Sequence, residues 1–270
     1  MKTLPQPLAS PALVFASILA LAAAAAPCRA ALKSAYLDSL QKNFYVEHCC
    51  ASKLADCAKK KPACKIAPRL ANFIAWMDSV GRNSDEKFDE ALSARYLSLA
   101  DKKKYAADAK GWPLIGNANA PLTVVMYISG TCPTCKSNFK EMHREVTAGS
   151  LKGKAKIIVK PFGTGVANRA LAVAHDLGRF PDFMLALAEV KVRIDEEVLY
   201  SVADNLYLDR DKFKAFVESP ATMKRVEQST AEAERNGVRL VPTYLISGRR
   251  YESVSTGRWV VDAIEYAIEE

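Results

Sequence analysis

The segment LTVVMYISGTCPTCKSNF, residues 122–139, places a hydrophobic run, a turn and a C-x-x-C motif in direct succession. The run at 122–129 is continuously apolar enough to predict a strand buried on both faces of a central sheet. Pro133 is favoured in the first turn of a helix, because its missing N–H would have no partner there. The segment therefore predicts a strand followed by a helix, at 133–146, whose first turn carries two cysteines.

The chain around this segment predicts the rest of an α/β domain. Residues 155–160 (AKIIVK) form a second strand candidate, so that strand, helix and strand make a βαβ unit. A helical pattern then extends from about 166 to 236, with predicted breaks near Gly178, Pro181 and Pro220. Three further elements complete the prediction: a hairpin of strands 243–246 and 251–254, and a last helix at 258–268.

The position of the C-x-x-C motif suits thiol redox chemistry. Cys132 would lie where the backbone N–H groups of a helix are unpaired, and this favours its thiolate. Cys135 follows one turn later, so we predict that Cys132 exchanges with substrate and that Cys135 resolves the mixed disulfide. A purely structural disulfide across so short a loop would add little stability. After residue 121 the sequence has no second C-x-x-C or His pair for a zinc site, so we predict no metal and no other cofactor.

A second motif, GVRLVPTYLISGRRYES at 237–253, follows far downstream. Together with IGNANAPLTVVMYISGTCPTCKSNF at 115–139, it resembles the DsbA-like branch of the thioredoxin superfamily, in particular the Thioredoxin_4 and BdbD-like group. The resemblance implies a thioredoxin fold with a helical insertion and a thiol–disulfide oxidoreductase activity. It also implies a cis peptide bond before Pro242, which would face the active cysteines, and a Val241 backbone that binds substrate. Pro133 and Thr134 are predicted to contact substrate as well.

The sequence departs from this family at two positions. Related enzymes usually carry Asp or Glu six residues before the first cysteine, where this chain has Met126, so we expect slower proton transfer at Cys135. Many strong oxidases have His before the second cysteine, where this chain has Thr134, whose hydroxyl is expected to donate a hydrogen bond. Lys136 is expected to be exposed and to add little. We therefore expect a lowered, but not extreme, pKa for Cys132.

Residues 31–110 predict a small all-α domain that is helical throughout and precedes the thioredoxin domain at 111–270. It contains four cysteines, Cys49, Cys50, Cys57 and Cys64. The last three recur every seven residues, a spacing of about 10.5 Å along a straight helix and too long for a disulfide. Because Pro62 also interrupts a helix, we predict a helical hairpin with Cys49 or Cys50 bonded to Cys57 or Cys64. A second redox centre and a metal site are alternatives. The stretch faintly resembles the thiol domain of CcmH-type cytochrome c maturation proteins, which implies no residue roles here.

Residues 1–30 have the features of a signal peptide, with Lys2, an apolar run at 13–26 and small residues before a cleavage point near Ala30. Lipidation at Cys28 and an uncleaved N-terminal membrane anchor are alternatives. The even number of cysteines that remain, six, fits an oxidising compartment. The chain is therefore predicted to be exported and periplasmic.

The overall prediction is a protein dithiol oxidase that acts on exported proteins with cysteine thiols and is reset by a membrane or soluble redox partner. The alternatives are a reductase or isomerase, including one for cytochrome c maturation, a non-catalytic thioredoxin-fold binding module, and a metal-binding chaperone. Cleavage would remove Lys2 and Arg29 and lower the formal charge from +8 to +6. With no dense basic stripe, this charge does not predict nucleic-acid binding.

Overall fold

The computed structural model describes residues 39–40, 42–61, 63–80, 85–100, 102–252 and 256–270. The chain forms two compact units that divide between Phe88 and Asp89. The predicted signal peptide at 1–30 lies outside the described residues. None of the helices within them has the length and apolar character that crossing a bilayer requires.

The described residues of the first unit include a short antiparallel hairpin and two helices that follow it. Its elements are β1 (Tyr45–Val46), β2 (Ser52–Lys53), α1 (Leu54–Lys60) and α2 (Ile66–Ser79), and α3 (Asp85–Ala100) crosses the division. The prediction that 31–110 is helical throughout was wrong, because β1 and β2 form a hairpin and residues 102–109 are not helical. A backbone hydrogen bond of 2.8 Å from Leu54 to Phe44 closes the hairpin, a contact that helical spacing does not reveal.

The second unit is built on a five-stranded mixed sheet of order β3-β5-β4-β6-β7. Its strands are β3 (Leu114–Gly116), β4 (Leu122–Ile128), β5 (Ala155–Pro161), β6 (Thr243–Ile246) and β7 (Arg249–Glu252). β4 and β5 are parallel and every other pair is antiparallel. The predicted βαβ unit and the hairpin are both present. β3 was not predicted from the sequence, since its three residues are too few to show a period.

Within the part of the second unit that the structure describes, seven helices follow α3 and accompany this sheet. They are α4 (Pro133–Thr147), α5 (Val166–Asp176), α6 (Phe180–Glu189), α7 (Glu196–Asn205), α8 (Arg210–Glu218), α9 (Pro220–Arg235) and α10 (Gly257–Glu269). α5 to α9 form the predicted insertion between β5 and β6, which gives a thioredoxin-like α/β fold. The predicted breaks near Gly178, Pro181 and Pro220 are present, because α5 ends at Asp176, α6 begins at Phe180 and α9 begins at Pro220. Both prolines lie in the first turn of a helix, where a proline costs no hydrogen bond.

The two faces of β4 contribute side chains to different parts of the second unit. Side chains that alternate along a strand point to opposite faces, and one face of β4 joins a core with the end of α9. That core contains Val125, Tyr127, Ile158, Ala233, Val238 and Leu245. The other face carries the buried Met126, which lies directly opposite Tyr244 in the register of β4 and β6.

Arg95, a buried residue of α3, bonds to β7 and α10 within the second unit. Arg95 donates to the Tyr251 hydroxyl at 2.7 Å and to the Trp259 carbonyl at 3.2 Å, and it forms an ion pair with Asp262. Residues from Asp89 onward thus belong to the same compact unit as the sheet. A functional boundary near residue 110 stays a prediction.

Candidate active site

A short turn connects β4 to the C-x-x-C motif. The Gly130 N–H donates to the buried Asn168 side-chain oxygen at 2.9 Å, which ties the turn to α5. A Cβ atom on Gly130 would lie 3.0 Å from the Cβ of Ala167. Glycine at this position therefore allows the close approach that holds the turn before Cys132.

Cys132 caps the N-terminus of α4. Its Sγ accepts a hydrogen bond of 3.2 Å from the backbone N–H of Cys135, and its backbone is extended, as expected for a capping residue. Both cysteines are thiols in this structure; Cys132 is partly exposed and Cys135 is fully buried. Access to the pair is therefore through Cys132, as the sequence predicts.

The surroundings of the two thiols separate their acidities. A hydrogen bond from the Cys135 side chain, with the backbone N–H groups of Cys135 and Thr134, lowers the pKa of Cys132 to about 6 against the opposing effect of burial. Burial, followed by the hydrogen bond to Cys132, raises the pKa of Cys135 far above its ordinary value. At neutral pH the pair therefore holds a thiolate at Cys132 and a proton at Cys135. Thr134 lowers the pKa of Cys132 through its backbone N–H, whereas the sequence predicted a hydrogen bond from its hydroxyl.

The loop before β6 approaches the same thiol from a distant part of the chain. The Val241–Pro242 peptide bond is cis, as the resemblance implied. The Val241 carbonyl oxygen lies 3.8 Å from the Cys132 Sγ and accepts a hydrogen bond from it when Cys132 is protonated. The structure thus brings Val241 and Pro242 to the C-x-x-C motif. That they bind substrate, together with Pro133 and Thr134, remains a prediction.

Lys136 is buried, whereas the sequence predicted an exposed side chain. The residue is only 7% exposed. Burial lowers the pKa of its ammonium, and the charge of Cys132 acts in the opposite direction. Lys136 in turn contributes to the lowered pKa of Cys132. A partly desolvated charge acts more strongly on its neighbours than a charge in water.

The sequence did not predict a polar pair that joins α4 to β6. The Asn138 side chain donates to the Tyr244 hydroxyl at 2.9 Å, and Tyr244 is fully buried opposite Met126. Burial raises the pKa of Tyr244 well above its ordinary value, with a smaller effect of Cys135 in the same direction, so the phenol stays neutral. The available signal was the position of Asn138, three residues after Cys135 on one helix face.

The four N-terminal cysteines form two disulfides in the first unit. Cys49 is bonded to Cys64 and Cys50 to Cys57, with Cα–Cα distances of 5.7 and 5.5 Å. This is one of the pairings that the sequence left open. Their four sulfur atoms all lie within 4.8 Å of one another, so the reduced thiols would form a group able to hold a metal. Bonded in pairs, they are not thiolate ligands.

The fold and this site define the class of protein: a thioredoxin-fold protein with a dithiol pair at a helix N-terminus and a cis-proline loop beside it. A family model described as thioredoxin, Thioredoxin_4, matches residues 108–265, which is more than half of the chain. The chain belongs to this family.

Two solved structures agree with this assignment of the fold, and curated relatives match part of the chain. A thioredoxin-like oxidoreductase from Silicibacter pomeroyi is 22% identical, with a TM-score of 0.53 over 60% of this chain and 94% of that one. Oxidised BdbD from Bacillus subtilis is 18% identical, with a TM-score of 0.54 over 63% of this chain and 100% of that one. The Na(+)/H(+) antiporter NhaA of Herminiimonas arsenicoxydans is 28% identical over 159 residues, 56% of this chain. The chain spans about a quarter of the length of the curated relatives it matches.

Proposed function

We propose that the chain is a thiol–disulfide oxidoreductase that oxidises dithiols in exported proteins. The observation that carries this proposal is the contrast between the two thiols: Cys132 partly exposed with a pKa of about 6, and Cys135 buried and protonated. A stabilised thiolate favours the reduced pair over the disulfide. The oxidised pair is therefore expected to give up its disulfide readily, as an oxidase must.

The reaction starts from the Cys132–Cys135 disulfide. A substrate thiolate attacks the Cys132 sulfur, a substrate–Cys132 disulfide forms, and Cys135 leaves as a thiolate that takes up a proton. A second substrate thiolate then attacks the substrate sulfur and releases the Cys132 thiolate. The substrate loses two electrons and gains a disulfide, while the enzyme becomes a dithiol. With Met126 at the position of the usual acid, the proton for Cys135 must come from water or a reactant.

The rest of the chain is assigned within the same proposal. Residues 1–30 direct export to the periplasm, 31–110 form the four-cysteine domain, and 111–270 form the catalytic domain. A membrane or soluble partner with its own disulfide reoxidises Cys132 and Cys135. The basic and apolar N-terminal sequence and the disulfides of the first unit support an oxidising location.

The redox potential of Cys132–Cys135 tests this proposal. The protein is equilibrated in glutathione buffers, and a Cys132→Ser/Cys135→Ser double variant reports the signal of the other cysteines for subtraction. A potential near the DsbA value, about −120 mV, is expected for an oxidase, whereas one near the thioredoxin value, about −270 mV, would assign a reductase instead. A pair that does not exchange with glutathione would contradict any redox role.

A further inference from the structure

A groove of about 760 Å³ lies beside the exchanging cysteine. The first turns of α4 form one wall, and the chain from the end of α6 into the connection to α7 forms the other. Thr131 and Pro133, the neighbours of Cys132 on either side, line its edge. A substrate segment whose cysteine is bonded to Cys132 would therefore extend along this groove.

The charged side chains that line the groove are mostly positive: Lys136, Lys140, Lys191 and Arg193, with Glu189 as the one acid. Lys140 and Glu189 neutralise one another in an ion pair of 2.5 Å. Among the described residues, the three remaining cations have no carboxylate within ion-pair distance. The groove thus presents three uncompensated positive charges to whatever binds there.

Lys136 is the most informative of these charges because it is 93% buried and still lines the groove. Burial of an ammonium without a partner is unfavourable. In the reduced enzyme the Cys132 thiolate is a neighbouring negative charge, but in the Cys132–Cys135 disulfide this sulfur is neutral. The oxidised enzyme, which is the form that must bind substrate, therefore lacks this counter-charge, and the groove that Lys136 lines is open to an external carboxylate.

We propose that the groove binds an acidic peptide segment next to the reactive cysteine of the substrate protein. The oxidised enzyme would then select cysteines flanked by Asp or Glu, with carboxylates facing Lys136, Lys191 and Arg193. Val192, which is 66% exposed, and Ile194 add apolar contacts at the same wall. This inference rests on the proposed oxidoreductase function and names the substrate class of that same site.

Single-cysteine peptides of equal length test the preference. Three peptides carry Glu, Ser or Lys around the cysteine, and mixed-disulfide formation with the oxidised full chain is followed at low salt. We expect the Glu peptide to react about tenfold faster than the Lys peptide, with the gap shrinking at high salt because the charges are partly exposed. In a Lys191→Glu/Arg193→Glu variant the preference should disappear or reverse. Lys224→Glu, an exposed lysine on α9 outside the groove, should keep it.

Dithiothreitol, which has no carboxylate or ammonium group beside its thiols, separates the two proposals. If wild type and variants are reduced by it at equal rates but all three peptides react alike, the acidic-peptide inference is wrong and the redox function stands. If wild-type protein is not reduced by it, the redox function itself is wrong. A Glu peptide with Ser in place of Cys should also bind the oxidised chain more tightly than the reduced one, since only the reduced chain carries the thiolate. Equal binding to both forms would contradict the role given to Lys136.

Discussion

Cys132 owes its predicted reactivity to atoms within one turn of α4. Its sulfur accepts a hydrogen bond from the Cys135 backbone and lies beside the Cys135 thiol and the partly desolvated Lys136. These donors stabilise negative charge on sulfur, whereas burial of Cys135 opposes a charge there. The different acidities of the two cysteines therefore follow from local geometry at the helix N-terminus.

Alkylation of Cys132 by iodoacetamide in the reduced protein should be half-maximal near pH 6, because only the thiolate reacts. Since the Cys135 side chain is the largest cause of the lowered pKa, Cys135→Ala should move the midpoint upward more than Cys135→Ser, which keeps a donor. Mass spectrometry of the labelled protein across pH measures both. A midpoint that is unchanged in Cys135→Ala would contradict this account.

The same pKa predicts how stability depends on pH. The folded-state value of about 6 lies below the ordinary value of 9.0, so the thiolate stabilises the reduced fold. This contribution is fully present above pH 9.0 and is lost as pH falls through about 6. The oxidised protein has no thiolate and should lack this dependence, which provides the comparison in urea unfolding.

At the scale of elements, two disulfides join the turn of the β1–β2 hairpin to α1 and to the residues just before α2. Removal of Cys64 should leave Cys49 free, and removal of Cys57 should leave Cys50 free. Labelling of denatured, unreduced Cys64→Ala and Cys57→Ala proteins in the Cys132→Ser/Cys135→Ser background identifies the freed thiol. A label on Cys50 in Cys64→Ala would instead indicate the opposite pairing.

Loss of either disulfide should also lower the free energy of unfolding of the first unit. Chain entropy alone predicts about 3 kcal/mol for a loop of the Cys49–Cys64 length. Elemental analysis of the same preparations addresses the metal alternative. One bound zinc per chain in the protein as purified would contradict the assignment of these cysteines to disulfides.

At the scale of the whole molecule, Arg95 connects α3 to β7 and α10 within the second unit. Because its side chain is buried and forms an ion pair with Asp262 and hydrogen bonds to Tyr251 and Trp259, Arg95→Met should cost about 3 kcal/mol of unfolding free energy by removing these contacts. Arg210→Met is the matched control, since Arg210 pairs with Glu197 and Asp204 at the surface and its loss should cost under about 1 kcal/mol. Denaturant unfolding measures the free energy lost in each variant. Equal losses would show that the buried contacts of Arg95 contribute no more than the surface ion pairs of Arg210.

The sequence by itself determined the features that depend on near neighbours. The strand at 122–128 and the helix with Cys132 in its first turn follow from a continuous apolar run, a proline and a two-residue spacing, all of which act over a few residues. The cis bond before Pro242 was predicted only through the resemblance, because local propensity does not require it. The spacing of the N-terminal cysteines excluded some pairings and left others open.

Only the tertiary structure decided which side chains are buried and which distant groups meet. Lys136 looks like a solvated lysine in the sequence, but it is buried in the structure. The groove beside it forms only where α4 lies opposite the connection from α6 to α7. Asn138 and Tyr244 are 106 residues apart, and Arg95 and Asp262 are 167 apart. Burial and polar pairing depend on chain segments that arrive from far away in sequence, and hydrophobic periodicity carries no information about which segments those are.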